Sequence, residues 1–165
     1  MKPLTLFFGL LLMSQANFPF AASDHPIKTR PNFSLPDLER KVRHINEWDG
    51  KVIILNFWAT WCPPCRKEIP EFVKLQDEYR NQGVQFIGVA IDNEQSVSQF
   101  AFEMDMNYPS LIAEIKGIGL AQQYGNRAGA LPYSVIIDRH GQIVFRKTGP
   151  LSRQRIINTI TSLKE

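Results

Sequence analysis

The sequence predicts an α/β fold, with a central mixed sheet, helices on both faces and a short N-terminal hairpin. Three observations predict it. Val52–Ala59 is apolar at odd and even positions alike, which a strand buried on both faces requires. From Pro63 to Tyr79 the apolar residues recur at helical spacing. Tyr133–Asp138 and Gln142–Lys147 flank the turn Arg139–Gly141, the pattern of an antiparallel hairpin. Strands that alternate with helices and then close on a hairpin and a last helix make the sheet mixed.

The start of the chain differs from the rest. Lys2 is the only charge before Asp24, Leu4–Met13 is an apolar core, and small residues follow. These are the three parts of a secretory signal peptide, expected over residues 1–22 with cleavage after Ala16 or near Ala21–Ser23. A retained membrane anchor is the other reading, but the apolar core is far shorter than the roughly 20 residues of a span. Residues 23–31, polar with Pro26 and Pro31, read as a linker, and residues 32–165 as one domain. With 44% hydrophobic and 21% charged residues, the whole chain has ordinary globular composition. Its basic residues are scattered and the whole-chain charge is only +3, so no nucleic-acid footprint is present.

The elements follow in order. Phe33, Leu35 and Leu38 alternate loosely with polar residues, predicting a short hairpin, then a helical turn at Ile45–Trp48 and a reversal at Asp49-Gly50. The strand Val52–Ala59 contains one anomaly, Asn56. A buried amide needs partners, so Asn56 bonds to neighbouring backbone or lies near the functional end of the strand. The next helix buries Cys65, Ile69, Phe72, Leu75, Gln76 and Tyr79, is kinked by Pro70 and ends at Gly83. Val84–Ile91 is a second buried strand. Asp92 with Gln95 resembles a capping box for a helix that buries Val97, Phe100, Ala101 and Met104. Tyr108–Ile112 is a short extended segment, and Ile118–Tyr124 a short helix stopped by Gly125. Ser152 caps the last helix, with Leu151 and Ile156 as a staple and Ile156, Ile157, Ile160 and Leu163 as its buried stripe.

The chemistry gathers at Trp61-Cys62-Pro63-Pro64-Cys65, which holds the only two cysteines of the chain. At this spacing the pair can close into a small disulfide ring and reopen, so thiol–disulfide exchange is expected. Cys62 falls at the helix start, where the partial positive charge favours a thiolate nucleophile. Cys65, one turn in, is then the resolving thiol. Pro63 and Pro64 lack amide hydrogens, so two potential donors to the Cys62 sulfur are missing, which points to a reducing or intermediate potential. Glu68 shares a helical face with Cys65 and could take its proton; on spacing alone, a solvated helix residue fits equally well. No cofactor is needed for such a cycle. A zinc half-site would need further ligands, and His25, His44 and His140 are scattered. A copper-binding chaperone using the two cysteines as soft ligands is the reading from a different class.

Leu55-Asn-Phe-Trp-Ala-Thr-Trp-Cys-Pro-Pro-Cys-Arg-Lys-Glu-Ile-Pro70, with Leu131-Pro132-Tyr-Ser-Val-Ile-Ile-Asp138, resembles the thioredoxin superfamily and its exported TlpA/ResA-like thiol–disulfide oxidoreductases. The resemblance covers Pro31 to the C-terminus. It implies a thioredoxin-like three-layer fold, with Pro132 as a cis-proline facing the disulfide. Leu131 would offer backbone to an extended substrate segment, and Trp61, Pro63 and Pro64 would complete the contact surface. It tips Glu68 towards proton transfer, and makes the hairpin an N-terminal extension and residues 92–117 a helical insertion. It also implies a periplasmic location and client proteins such as apocytochrome c or copper-site assembly proteins, with electrons from a membrane thiol donor of the DsbD/CcdA kind. An oxidase of the DsbA kind is the rival within the class, opposed by the Pro-Pro pair and the lack of a histidine between the cysteines. A peroxidase related to the peroxiredoxins is opposed by Ala59, where that group carries threonine. Three positions depart from the pattern: Asn56 stands where thioredoxins often carry a buried aspartate, Arg40-Lys41 replaces a hairpin glycine, and Asn126–Ala130 lengthens the approach to Pro132.

Overall fold

The computed structural model describes residues 29–163. The signal peptide expected over 1–22 and most of the linker lie outside the described residues. Two short strands, β1 (Ser34–Pro36) and β2 (Val42–His44), form an antiparallel hairpin, followed by a 3₁₀ turn at Ile45–Trp48. Then come β3 (Val52–Trp58), α1 (Pro63–Tyr79), β4 (Val84–Ala90), α2 (Glu94–Glu103) and β5 (Ser110–Ile112). The chain closes with α3 (Lys116–Gln123), β6 (Tyr133–Ile137), β7 (Ile143–Thr148) and α4 (Arg153–Ser162).

The main sheet has the order β5-β4-β3-β6-β7, so the all-apolar run β3 is central, as its pattern predicts. β3, β4 and β5 run parallel, while β6 and β7 are antiparallel to their neighbours. Parallel pairs require crossovers, which α1 and α2 provide. Successive residues of β3 point to opposite layers. Ile53, Leu55 and Phe57 pack with Trp48, Ala121 and Tyr124 under α3 and the hairpin. Val52 and Ile54 pack with Phe72, Leu75, Ile156 and Ile160 of α1 and α4. Trp58 packs with both cysteines, Ile69, Val97 and Phe100, between α1 and α2. This is the three-layer thioredoxin-like arrangement that the sequence predicts.

α1 runs through Pro70 and ends in a 3₁₀ turn and Gly83, whose φ of +74° is the left-handed conformation a helix stop requires. Arg40 adopts φ of +62°, so the residue that replaces the hairpin glycine keeps the glycine's backbone shape. Asp37 holds that turn together: its Oδ1 accepts from the amides of Glu39 and Lys41, both at 3.0 Å. The helix start at α2 differs from the sequence reading. Asn93 is the cap, its Oδ1 accepting from Ser96 N at 2.9 Å, and Asp92 is engaged elsewhere. A capping pattern read from sequence fixes a helix start only to within a residue, because Asp and Asn are equally good caps. The insertion 92–117 is more than helical, since it contributes β5, paired with β4 at the sheet edge.

Candidate active site

The site is built where β3 hands the chain to α1, at the carboxyl edge of the parallel strands. That is where open α/β sheets leave room for ligands. The turn is tied down twice. Cys62 N donates to Ala59 O at 3.2 Å. Thr60 donates from its amide and its hydroxyl to Asp92 Oδ2, at 3.1 and 2.5 Å. Asp92 follows β4, so this contact joins the ends of two parallel strands beside the cysteines. It is what Asp92 does in place of capping α2.

Cys62 is the N-cap of α1, with Pro63 and Pro64 as the next two residues. Proline fits these first positions because their amides have no helical acceptor in any case. The consequence is chemical. Cys65 N–H, donating to Cys62 Sγ at 3.3 Å, is the first amide of the helix that the sulfur can receive. Cys62 and Cys65 form a disulfide with their Cα atoms 5.3 Å apart. Cys62 keeps 4% of its surface exposed and Cys65 none, so an incoming sulfur meets Cys62 first.

Behind the disulfide lies a buried polar group of four partners. Glu68 is only 6% exposed, which excludes the solvated-face alternative. Its Oε1 accepts from Asn56 Nδ2 at 2.9 Å and its Oε2 from Leu151 N at 2.8 Å. Asn56 Nδ2 also donates to Ser134 Oγ at 2.9 Å. Asn56 therefore takes side-chain partners in place of neighbouring backbone. Burial pushes the Glu68 carboxyl up to about 7, and the bonds from Leu151 and Asn56 only partly offset it. A carboxyl poised there can take and return a proton near neutral pH.

The Leu131–Pro132 peptide bond is cis. Pro132 is buried and immediately precedes β6, and Leu131 packs against the cluster that contains both cysteines. The lengthened approach folds on itself: Gly129 N donates to Asn126 O, and Asn126 Nδ2 to Ala130 O. Trp61 stands 65% exposed and Pro63 is exposed beside it, while Pro64 is half-buried. Arg66 lies over the Phe100 ring at 5.3 Å, and Lys67 points to solvent. Among the described residues no group of three or more His, Cys, Asp or Glu side chains could hold a metal ion.

The sequence reading missed three participants. Ser134 had a signal, since it is polar within the buried run of β6, as Asn56 is within β3. Leu151 acts through its backbone, which no side-chain pattern reveals. Tyr108 is 7% exposed, and its buried hydroxyl has no partner among the described residues. Burial, and then the charge of Glu68, push its phenol far up, so it stays protonated.

Residues 27–162 match the family model described as Redoxin. The chain is 40% identical over 126 residues to the thiol-disulfide oxidoreductase ResA of Halalkalibacterium halodurans, spanning 76% of this chain and 69% of that protein. With ResA of Bacillus cereus the identity is 35% over 130 residues, covering 78% and 73%. Among solved structures, a thioredoxin-family thiol:disulfide interchange protein from Chlorobium tepidum superposes with a TM-score of 0.75 at 29% identity. The match covers 87% of this chain and all of that one. The chain belongs to the Redoxin family, as a thiol–disulfide oxidoreductase of the ResA kind with Cys62 and Cys65 as its redox pair.

Proposed function

We propose that the protein is an exported reductase that opens disulfides in periplasmic client proteins. The observation that carries this reading is the buried Glu68 carboxyl on the helical face of Cys65, behind a Cys62 that receives a single helix amide. In the first step the Cys62 thiolate attacks a client disulfide. A bond forms from Cys62 to one client sulfur, and the other client sulfur leaves as a thiolate. Cys65 then gives its proton to Glu68 and attacks Cys62 Sγ. The mixed disulfide breaks, the second client sulfur leaves as a thiolate that solvent protonates, and the Cys62–Cys65 disulfide remains. Two electrons have passed to the client, and a membrane thiol donor of the DsbD/CcdA kind returns two to this pair.

Leu131 and Pro132 line the groove that takes the client segment, and Trp61, Pro63 and Pro64 form its rim. The relatives' name supports exchange chemistry, and apocytochrome c or copper-site assembly proteins are the clients that the resemblance favours. The direction rests on the two prolines, because a sulfur with few donors gives a less stabilised thiolate and so a weaker oxidant.

The test is a trap. Cys65→Ser, produced in the native host with its N-terminal segment intact, should accumulate mixed disulfides that break on adding reductant. The measured potential of the wild type should lie well below the roughly −120 mV of the strongest oxidant in this fold. A potential at that value, or copper co-purifying with wild type while no client is trapped, would sink the reductase reading.

A further inference from the structure

The proton acceptor and the client groove come from distant parts of the chain, yet one short segment bonds to both. Between β7 and α4 the chain runs Gly149-Pro150-Leu151. Leu151 N–H donates to Glu68 Oε2 at 2.8 Å. Two residues earlier, Gly149 N–H donates to Pro132 O at 2.8 Å. Pro150 between them has a fixed φ and no amide of its own, so the two donors sit on a stiff spacer. The far end is anchored as well. Leu151 is 4% exposed and packs with Ile156 and Ile160, and Ser152 caps α4 directly after it.

We propose that Gly149–Leu151 is a positioning strap for the exchange reaction, setting the Glu68 carboxylate and the Pro132 groove through one backbone segment. This rests on the function proposed above, in which Glu68 takes the Cys65 proton and Pro132 receives the client. When Glu68 is ionised, Leu151 N–H and Asn56 Nδ2 each hold one of its oxygens. A proton arriving on Oε2 makes that oxygen a poor acceptor and loosens the strap at Leu151. The strap carries this change to Gly149 and so to the carbonyl of Pro132. Proton transfer from the resolving thiol to Glu68 thereby loosens the grip on the client in the step that releases it. The groups placed against Glu68 among the described residues are Asn56 from β3, with Ser134 beside it on β6, the Leu151 amide, and Tyr108 before β5. Arg153 at the start of α4 is held by Glu71 and Glu78 instead.

The strap can be tested by changing one end and reading the other. Gly149 has φ of +83° with open space where a Cβ would stand, so Gly149→Ala strains the backbone without a clash and should still fold. It does not touch Glu68. The expected result is a shift of about half a unit or more in the Glu68 midpoint, read by carbon-13 carboxyl NMR of the oxidised protein. Leu151→Pro removes the other donor and should raise KM for a disulfide-bearing peptide roughly threefold or more, although Leu151 lies outside the groove. Ile160→Val, a core change in α4, should lower stability and leave both readouts alone. An unmoved Glu68 midpoint in Gly149→Ala overturns the strap, as does an equal shift in Ile160→Val. The NMR readout needs no turnover, so a wild type without exchange activity would strike at the function and leave the strap measurable.

Discussion

The two faces of the sheet are built from the same strands and to different standards. The face under α3 and the hairpin is apolar at its centre and leaves unpartnered polar atoms, Arg30 Nε and Asn126 Oδ1, only at its margin among the described residues. Its side chains are Ile53, Leu55, Phe57, Ile87, Val89, Val135 and Ile137, and its two phenols both reach backbone carbonyls. Tyr124 donates to Pro31 O at 2.7 Å and Tyr133 to Tyr124 O at 3.0 Å. The face under α1, α2 and α4 carries a polar row across four strands: Ser134, Asn56, Gly88 and Ser110 are paired in register. Glu68 hangs over this row, and the indole N–H of Trp58 and the hydroxyl of Tyr108 are buried beside it without partners among the described residues. Gly88 admits Trp58, since a Cβ there would stand 2.8 Å from the indole nitrogen. The contrast teaches where this protein tolerates poor burial. A buried carboxyl and two orphaned donors each cost stability, and they sit on the side that holds the redox pair.

The strongest test of that division is at the redox pair. Cys62→Ser should abolish exchange while the Leu55 face keeps the chain folded, measured as loss of disulfide-peptide reduction with an intact circular dichroism spectrum. On the opposite face, Leu55→Ala should cost about 2–5 kcal/mol in denaturant unfolding. Its exchange rate per folded molecule should match wild type, and a change in the pH profile would break the comparison.

Glu68→Gln probes the polar face directly. The folded carboxyl titrates at about 7 against an ordinary 4.5, so the folded state holds the proton more tightly than the unfolded chain. Stability is then greatest below the unfolded value and declines as pH rises from 4.5 through about 7. The loss amounts to about 3 kcal/mol. Glu68→Gln should flatten that decline in the oxidised protein and slow release from the mixed disulfide roughly 100-fold or more. A stability profile that falls as steeply as wild type would contradict the burial argument. The smallest effect is expected at Tyr108→Phe. Removing a hydroxyl with no partner should change stability by less than about 1 kcal/mol, and towards greater stability. A clear loss would mean that the hydroxyl has a partner and that the polar row extends to Tyr108.

Much of this site was legible in the sequence. Trp61-Cys62-Pro63-Pro64-Cys65 after an all-apolar strand fixes the reaction, because a CxxC ring and a helix N-terminus are both local features. The hairpin, the order of strands and helices and the caps at Ser152 and Gly83 follow from spacing for the same reason. Where two adjacent residues have similar chemistry, as at Asp92 and Asn93, spacing could not separate them, and the contact of Asp92 with Thr60 decided.

The sequence by itself determined the redox pair, the central strand, one odd polar residue, Asn56, and the placement of Glu68 on the helical face of Cys65. Only the tertiary structure decided that these two bond to each other, that Ser134 joins them, and that Leu151 N–H closes the carboxylate. The reason is physical. Periodicity reports which face a residue turns inwards, and it is silent about what comes to meet it from 83 positions away along the chain. A backbone amide carries no signature at all in the letters of the sequence. Its role exists only when the packing of Leu151 under α4 brings it to Glu68.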